Sequence, residues 1–250
     1  MKIQLCLSGG GARGFAHLGV IQGLYELGFD IVRISGTSAG AIGGSFIAAG
    51  YAPEEILAIF IQKKLYRLVS GAFNRGLLKF NGVEELVKQN LPADFKSLKI
   101  PLIVSATDLI SGKTIYFEEG ELAPVITAAS SIPGLFKPVA YKNYMLLDGG
   151  VLNNLPVEPL LKYPEPVIGV HVNPVGTIAE PTSTLAVLER TFHLQVYSNT
   201  EERERKCDLL IEPAALRGVR VFDYDKGNII FRAGYDEVIR RADELLEKYL

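Results

Sequence analysis

The sequence predicts a single α/β domain over residues 1–250, with a mostly parallel sheet sandwiched between helices. Predicted strands alternate with predicted helices along the chain, which is the order found in doubly wound α/β domains. Continuous apolar runs such as Pro101–Thr107 and Val167–Val172 are typical of parallel strands that are buried on both faces. The content of 48% hydrophobic and 22% charged residues is that of an ordinary globular protein, and no internal repeat or linker divides the chain.

The first two predicted strands are each followed by a glycine-containing turn and a helix. Residues Ile3–Leu7 form the first strand, and apolar residues at helical spacing predict a helix from Phe15 that ends at Gly28. The second strand, Ile31–Ser35, leads into a small-residue helix that runs from Ala39 to about Ala49. Each turn therefore lies between the end of a strand and the N-terminus of a helix.

The remaining elements follow from the same periodicities. Further predicted strands are Pro101–Thr107, Thr114–Phe117, Tyr144–Asp148, Val167–Val172 and Asp208–Ile211. Further predicted helices are Pro53–Val69, Val83–Gln89, Leu122–Ser130, Thr184–Lys206 and Phe231–Tyr249.

The turn after the second strand has the pattern Gly-x-Ser-x-Gly, from Gly36 to Gly40. In the order strand, tight turn, helix, this pattern places the middle serine on a strained elbow with its hydroxyl exposed above a helix N-terminus. Gly36 and Gly40 let the turn close because they have no Cβ atoms to collide with neighbouring backbone. We interpret Ser38 as a nucleophile.

The turn after the first strand is rich in glycine, at Gly9, Gly10, Gly11 and Gly14. Backbone N–H groups of such a turn favour negative charge. A dinucleotide site would need an acidic residue at the end of the second strand, whereas Asp30 stands at its start. The alternative is an oxyanion hole, in which the amides of Gly10 and Gly11 face a tetrahedral intermediate.

A third motif, Asp148-Gly149-Gly150, ends a predicted strand. The pattern alone is typical of a hairpin turn, but beside a nucleophile elbow the aspartate becomes a candidate general base. Two mechanisms are open. A triad would use His171 or His193, with His17 near the glycine turn as a further candidate, and a dyad would let Asp148 take the serine proton directly.

Residues 51–80 combine an apolar helical face with a basic side. We expect this stretch to border the acyl groove and to make transient contact with a membrane surface. A core face with a solvated basic side is the alternative interpretation. The basic residues are Lys63, Lys64, Arg67, Arg75 and Lys79.

Composition excludes several function classes. A net charge of −2 and the lack of basic and aromatic interleaving argue against a nucleic-acid partner. Cys6 and Cys207 are too few for a disulfide framework, and the cysteines and three histidines have no metal-site spacing. The apolar run after Lys2 is shorter than a signal peptide requires. We therefore expect a cytoplasmic enzyme without metal or cofactor, and leave its oligomeric state open.

Together the motifs resemble the patatin-like phospholipase family, and the resemblance covers most of the chain. Four motifs occur in the order and approximate spacing typical of that family: Gly9 to Gly14, the elbow from Gly36 to Gly40, the Ala129 to Pro133 segment, and Asp148 to Gly150. Each motif is weak alone, but the four together are highly specific. A departure is Ser8, where the family often has aspartate before the glycines.

The resemblance implies a lipid acyl hydrolase that forms an acyl-enzyme on Ser38, with Asp148 as base. It assigns the oxyanion hole to Gly9, Gly10 and Gly11, with Arg13 bracing the turn or countering developing charge. The expected substrate is a lipid or another small ester. An acyltransferase with the same serine and a catalytically silent lipid- or protein-binding module are the alternatives.

Overall fold

The protein was analysed as a computed structural model that describes residues 1–62, 81–177, 180 and 183–249. The strands are β1 Lys2–Leu7, β2 Asp30–Gly36, β3 Leu102–Asp108, β4 Lys113–Phe117, β5 Val139–Tyr141, β6 Tyr144–Asp148, β7 Val167–Val170 and β8 Leu209–Ile211. The α-helices are α1 Phe15–Glu26, α2 Ala39–Ala49, α3 Pro53–Gln62, α4 Asn81–Asn90, α5 Leu122–Ala129, α6 Thr184–Ser198, α7 Glu201–Glu204, α8 Gly227–Arg240 and α9 Ala242–Tyr249.

All eight strands form one mixed sheet in the order β5-β6-β3-β2-β1-β7-β8, with β4 paired to β3. The pairs β1–β2, β1–β7, β2–β3 and β7–β8 are parallel, whereas β4, β5 and β6 pair antiparallel. Helices flank this sheet, and the mostly parallel α/β architecture predicted from the sequence is confirmed.

The main hydrophobic core lies between the central strands and the helices packed on them. Strand β3 is buried along its whole length, as its apolar run predicts. Helices α1 and α8 pack backbone against backbone, because a Cβ atom at Gly19 or Gly234 would collide with main-chain atoms of the other helix. These glycines therefore let α8 pack closely against α1, the helix that follows the glycine turn.

Two helices predicted as continuous are divided, which corrects the sequence prediction. The predicted helix Thr184–Lys206 ends at Ser198, where Thr200 Oγ1 donates to the Tyr197 carbonyl at 2.6 Å and Asn199 Nδ2 donates to the Gly150 carbonyl at 3.0 Å. These side chains offer the backbone an alternative to helical hydrogen bonding. The predicted terminal helix is interrupted at Arg241, whose guanidinium donates to the Leu210 carbonyl at 2.6 Å.

The remaining differences are small. Strand β7 ends at Val170, so His171 and Val172 lie just beyond it. The Asp-Gly-Gly motif forms a short 3-10 turn over Gly149–Val151 and not a hairpin. Helix α3 agrees with its prediction as far as Gln62, and the continuation to Val69 lies outside the described residues. None of the described helices is both long and apolar enough to cross a membrane.

Candidate active site

Ser38 lies at the junction of β2 and α2 in a strained backbone conformation. Its φ of 49° and ψ of −122° are outside the regions that residues with a Cβ prefer. The turn closes because Gly36 packs against the backbone of Gly40, where an added Cβ would lie 2.7 Å from the Gly40 carbonyl carbon. Helix α2 begins at Ala39, directly beyond the serine, so the positive end of its dipole lies beneath the hydroxyl.

Strand register explains why Asp148 meets Ser38. Along β3, Val104 pairs with Gly36 and Ala106 pairs with Asp148. Both residues of β3 also pair with β4, so β2 and β6 share the opposite edge of β3. Strand β2 runs parallel to β3, and β6 runs antiparallel to it. The C-terminal ends of β2 and β6 therefore point at each other, and their last residues pair with positions of β3 that are two residues apart.

The two side chains form a direct hydrogen bond. Ser38 Oγ donates to Asp148 Oδ2 at 2.7 Å, and the Gly150 N–H donates to Asp148 Oδ1 at 2.8 Å. Both residues are buried, with 8% of Ser38 and 2% of Asp148 exposed. Burial raises the pKa of Asp148 to about 6, although both hydrogen bonds oppose the shift. The carboxylate is therefore a stronger base than an ordinary aspartate, and it is mostly ionised at pH 7.

The end of α5 and the residues that follow it hold both members of the pair. The Ser38 N–H donates to the Ala129 carbonyl at 3.1 Å, and the Asp148 N–H donates to the Ser131 carbonyl at 3.0 Å. This gives the Ala129 to Pro133 motif a physical role, since its backbone supports the nucleophile on one side and the acid on the other.

The glycine turn lies against the nucleophile. A Cβ at Gly9 would be 3.0 Å from Ser38 Cβ, so only glycine lets the turn approach this closely. The N–H groups of Gly10, Gly11 and Ala39 have no acceptor among the residues that the structure describes. The N–H of Gly9 already donates to the Asn154 carbonyl at 3.2 Å. Of the three glycines that the sequence suggests for an oxyanion hole, only Gly10 and Gly11 therefore have N–H groups without an acceptor among the described residues, while Gly9 provides the close approach.

Arg13 braces the turn from behind. Its Nε donates to the Val219 carbonyl at 2.8 Å, and its Nη1 donates to Asn173 Oδ1 at 3.0 Å. Asn173 in turn donates from Nδ2 to the Gly9 carbonyl at 2.6 Å. Of the two roles suggested for Arg13, these contacts favour the bracing role.

The three histidines make other contacts. His17 Nε2 is 2.8 Å from the Ser8 carbonyl, and burial lowers the pKa of His17 to about 4. Burial and the nearby Arg13 lower the pKa of His193 to about 4. His171 is buried, which favours its neutral form, but two glutamates outweigh this and raise its pKa. Among the described residues, no histidine has a hydrogen bond with Ser38 or Asp148.

The ligand atoms of His171, Glu204 and Glu212 lie within 4.8 Å of one another, a grouping that could hold a metal ion. In this structure His171 Nδ1 is hydrogen-bonded to Glu212 Oε2 at 2.8 Å. The group lies beyond the end of β7 and shares no hydrogen bond with the Ser38 and Asp148 pair.

Ser38 stands between two cavities. The wide cavity has a volume of about 480 Å³ and also touches Asp148, Asn154 and the glycine turn. The narrow cleft has a volume of about 50 Å³, runs along α2, and has Phe60 and Tyr224 among its lining residues. Phe60 belongs to the stretch expected to border the acyl groove, whereas the basic residues of that stretch lie outside the described residues.

Several site residues had no sequence signal. Asn173, Val221 and Tyr224 come from loops late in the chain, and only the fold brings them to the glycine turn. The Val221 carbonyl accepts the Ala12 N–H at 2.8 Å. Asn154, six residues after Asp148, could have been suspected from its position beside the Asp-Gly-Gly motif.

Comparison with known proteins places these features in context. An uncharacterized NTE family protein of Mycobacterium tuberculosis is 38% identical over 163 residues, which cover 64% of this chain and 45% of that protein. The protein YqhO of Bacillus subtilis is 33% identical over 212 residues, covering 70% of this chain and 72% of YqhO. Lysophospholipase NTE1 of Lodderomyces elongisporus is 32% identical over 175 residues, which are 11% of its length. The chain spans less than half the length of the mycobacterial relative.

Solved structures share the fold. The ExoU chain of the ExoU-SpcU complex from Pseudomonas aeruginosa superposes with a TM-score of 0.58 at 14% identity, covering 98% of this chain and 52% of that chain. VipD from Legionella pneumophila gives a TM-score of 0.54 at 18% identity, covering 97% and 67%. The sequence model for the patatin-like phospholipase family matches residues 5–161, which contain the glycine turn, the elbow and the Asp-Gly-Gly motif. The chain therefore belongs to the patatin-like phospholipase family.

Proposed function

We propose that this protein is a serine acyl hydrolase that cleaves carboxylic esters of lipids through Ser38 and Asp148. The observation that carries the proposal is the 2.7 Å hydrogen bond from Ser38 Oγ to a buried carboxylate, beside amides that have no acceptor in the described part of the chain. A silent binding module would have no need of a strained serine in this setting. Membership of a phospholipase family supports a lipid ester as the substrate.

The first half of the reaction forms an acyl-enzyme. Ser38 Oγ attacks the ester carbonyl while Asp148 Oδ2 accepts the hydroxyl proton. The serine is a far weaker acid than Asp148 even with the aspartate pKa near 6, so proton transfer accompanies attack. The carbonyl oxygen becomes negative and receives hydrogen bonds from Gly10 and Gly11. Removing a donor of this kind typically costs about 3 to 4 kcal/mol of transition-state stabilisation.

The second half releases the acid. Asp148 returns the proton to the leaving alcohol oxygen, and the alcohol departs through the wide cavity. Water then takes its place, gives a proton to Asp148 and attacks the acyl-enzyme. The bond from the acyl carbon to Ser38 Oγ breaks as Asp148 passes that proton to Oγ, which releases the acid and regenerates the serine. An acceptor alcohol in place of water would make the same protein an acyltransferase. Substrate delivery from a membrane surface, with Lys63 and its basic neighbours facing the lipid, remains a prediction.

The experiment that tests the proposal combines labelling with turnover. We expect a fluorophosphonate probe to label the wild-type protein at Ser38, with the site confirmed by peptide mass spectrometry. A panel of p-nitrophenyl esters and phospholipids, with and without an acceptor alcohol, should yield free acid as the main product. Ester cleavage that persists in Ser38→Ala would refute the proposed nucleophile, and a product found mainly on the acceptor would favour acyl transfer.

A further inference from the structure

The two cavities beside Ser38 suggest which part of the substrate each one holds, an inference that depends on the proposed function. We infer that the narrow cleft receives the acyl chain and the wide cavity receives the alcohol part, so that the preferred substrates are short-chain acyl esters of large alcohols. The elbow and the glycine turn alone do not distinguish the acyl side of the substrate from the alcohol side, because both motifs act only on the reacting carbonyl group.

The geometry of the intermediate requires the two parts to separate. After attack, the tetrahedral carbon carries Ser38 Oγ, the oxyanion, the acyl chain and the alcohol oxygen. The oxyanion faces the amides of Gly10 and Gly11. Two substituents then remain, and Ser38, Gly11 and Ile132 line both cavities, so the reacting carbon lies where the two spaces meet.

The position of Asp148 decides which substituent goes where. The alcohol oxygen must accept a proton from Asp148 as the C–O bond breaks, so it has to lie on the side that this carboxyl group faces. Asp148 lines the wide cavity and is not among the described residues that line the narrow cleft. The alcohol therefore lies in the wide cavity, and the acyl chain enters the cleft.

The size and lining of the cleft limit the acyl chain. One water-sized group needs about 10–15 Å³ of cavity on this scale, so a volume of about 50 Å³ holds about four such groups. Phe15, Phe60 and Phe136 are among the described residues that line it, so a chain longer than about four carbons would have to displace aromatic rings or extend out of the cleft. The wide cavity, at about 480 Å³, holds a much larger group.

A pair of isomeric esters tests the assignment without any substitution. Octyl butanoate and butyl octanoate have the same formula and leaving oxygens of similar basicity, and they differ only in which side of the carbonyl is long. With monomeric substrate and acid release measured in a pH-stat, we expect kcat/KM for octyl butanoate to exceed that for butyl octanoate by about tenfold or more. Equal rates or the reverse preference would overturn the inference and leave the proposed hydrolase intact.

Two variants in the cleft and one control outside it locate the selectivity. Phe60→Ala widens it and should move the ratio toward butyl octanoate by about tenfold, whereas Phe117→Ala, which removes a buried phenylalanine outside the described cleft lining, should leave the ratio unchanged. Among the described residues outside its own helix, a methyl group at Gly43, which lines the cleft, would lie near Leu18 Cδ2, at 3.7 Å. Gly43→Ala should therefore fold, and it should sharpen the preference for short acyl chains.

Different outcomes would refute the inference about the cleft and the proposed function. A ratio that shifts equally in Phe60→Ala and Phe117→Ala would place the selectivity outside the cleft and refute the inference. Failure of the wild-type protein to cleave any ester, together with failure of Ser38 to react with a fluorophosphonate, would refute the proposed function itself.

Discussion

Two parts of the chain contribute different groups to the site: the first part, residues 5–161, which matches the family, and the second part, which follows it. The first part supplies the atoms proposed to react, Ser38 Oγ and the Asp148 carboxylate, on the ends of two strands that share one edge of β3. The second part supplies none of these atoms. It contributes walls of both cavities and the carbonyl and amide groups that hold the glycine turn from behind.

The difference indicates that the proposed reacting groups are confined to residues 5–161, whereas the residues that follow contribute walls and supports around them. The proposed reacting groups depend on short motifs whose geometry is local. Part of the wall of the wide cavity comes from the second part, including Asn173, Val221 and Phe222, whereas Tyr224 alone among the described lining residues of the narrow cleft does so. Variants of the proposed reacting groups should therefore abolish turnover, and variants in the second part should change it by degrees.

The largest effect is expected from the proposed dyad. Ser38→Ala and Asp148→Asn should each lower ester hydrolysis by about 10⁴-fold or more, because the two groups act in one step. For the same reason the double variant should be scarcely worse than either single variant, when kcat/KM is measured on one ester. Two losses that multiplied in the double variant would show that the groups act independently.

The glycine turn should rank second. Gly10→Val would press side-chain atoms onto Val172, since even a Cβ at Gly10 lies 2.6 Å from Val172 Cγ2. Displacing the Gly10 amide should lower kcat by about 10²- to 10³-fold. A thermal melt and fluorophosphonate labelling serve as controls for folding and for the nucleophile. If the purified protein instead bound NAD(P) or a nucleoside triphosphate at micromolar concentration, the turn would be a phosphate site.

The pH dependence should reveal the buried aspartate. With the pKa of Asp148 at about 6, kcat/KM should fall tenfold per unit below that pH, or about 100-fold at pH 4. The folded-state pKa lies above the unfolded value, so the native state binds more protons between pH 4 and 6, and stability falls as pH rises through that range. Above pH 6 the charged group costs up to about 3 kcal/mol, because each pKa unit is worth about 1.36 kcal/mol.

Asp148→Asn tests how the raised pKa of Asp148 affects the stability of the folded protein. The amide can accept the Gly150 N–H at Oδ1 and donate from Nδ2 to Ser38 Oγ, so both contacts of the carboxylate keep a partner. We expect the inactive variant to melt above the wild type at pH 8, with the difference shrinking toward pH 4. An unfolding free-energy difference that is independent of pH would contradict the raised pKa.

Asn173 tests whether the second part of the chain acts through the glycine turn. Asn173→Ala removes the donor to the Gly9 carbonyl and the acceptor for Arg13, so the turn loses a support but keeps its amides. We expect kcat to fall about tenfold, with KM changing less. Asn90→Ala is the matched control, because Asn90 Nδ2 donates to the Leu86 carbonyl within α4, and the described residues show no bond from it to the glycine turn. A change confined to thermal stability would make Asn173 a structural residue only.

The sequence alone predicts structural features that depend on neighbouring residues. It does not predict features that distant segments of the chain form together. The elbow at Ser38 and the strand ending at Asp148 follow from motifs of a few residues, and the structure joins them by a hydrogen bond. The opposed ends of β2 and β6 depend on register along β3, which no local pattern encodes. The break after Ser198 depends in part on the contact of Asn199 with Gly150, so helical periodicity alone predicted a continuous helix.

The smallest effects are expected from the histidines, and they test whether the second part of the chain takes any share in the chemistry. His171 and His193 follow residue 161, and each is engaged elsewhere: His171 Nδ1 is 2.8 Å from Glu212 Oε2, and His193 Nε2 is 3.3 Å from the Asn173 carbonyl. His17→Ala, His171→Ala and His193→Ala should each retain ester hydrolysis within about tenfold, a barrier change of about 1.4 kcal/mol. Circular dichroism and thermal melts confirm folding, since the buried His17 and His171 contribute to stability.

A histidine variant that folds normally yet loses as much activity as Ser38→Ala would replace the dyad with a triad. If that residue were His171 or His193, reacting groups would come from both parts of the chain, and their confinement to residues 5–161 would fail.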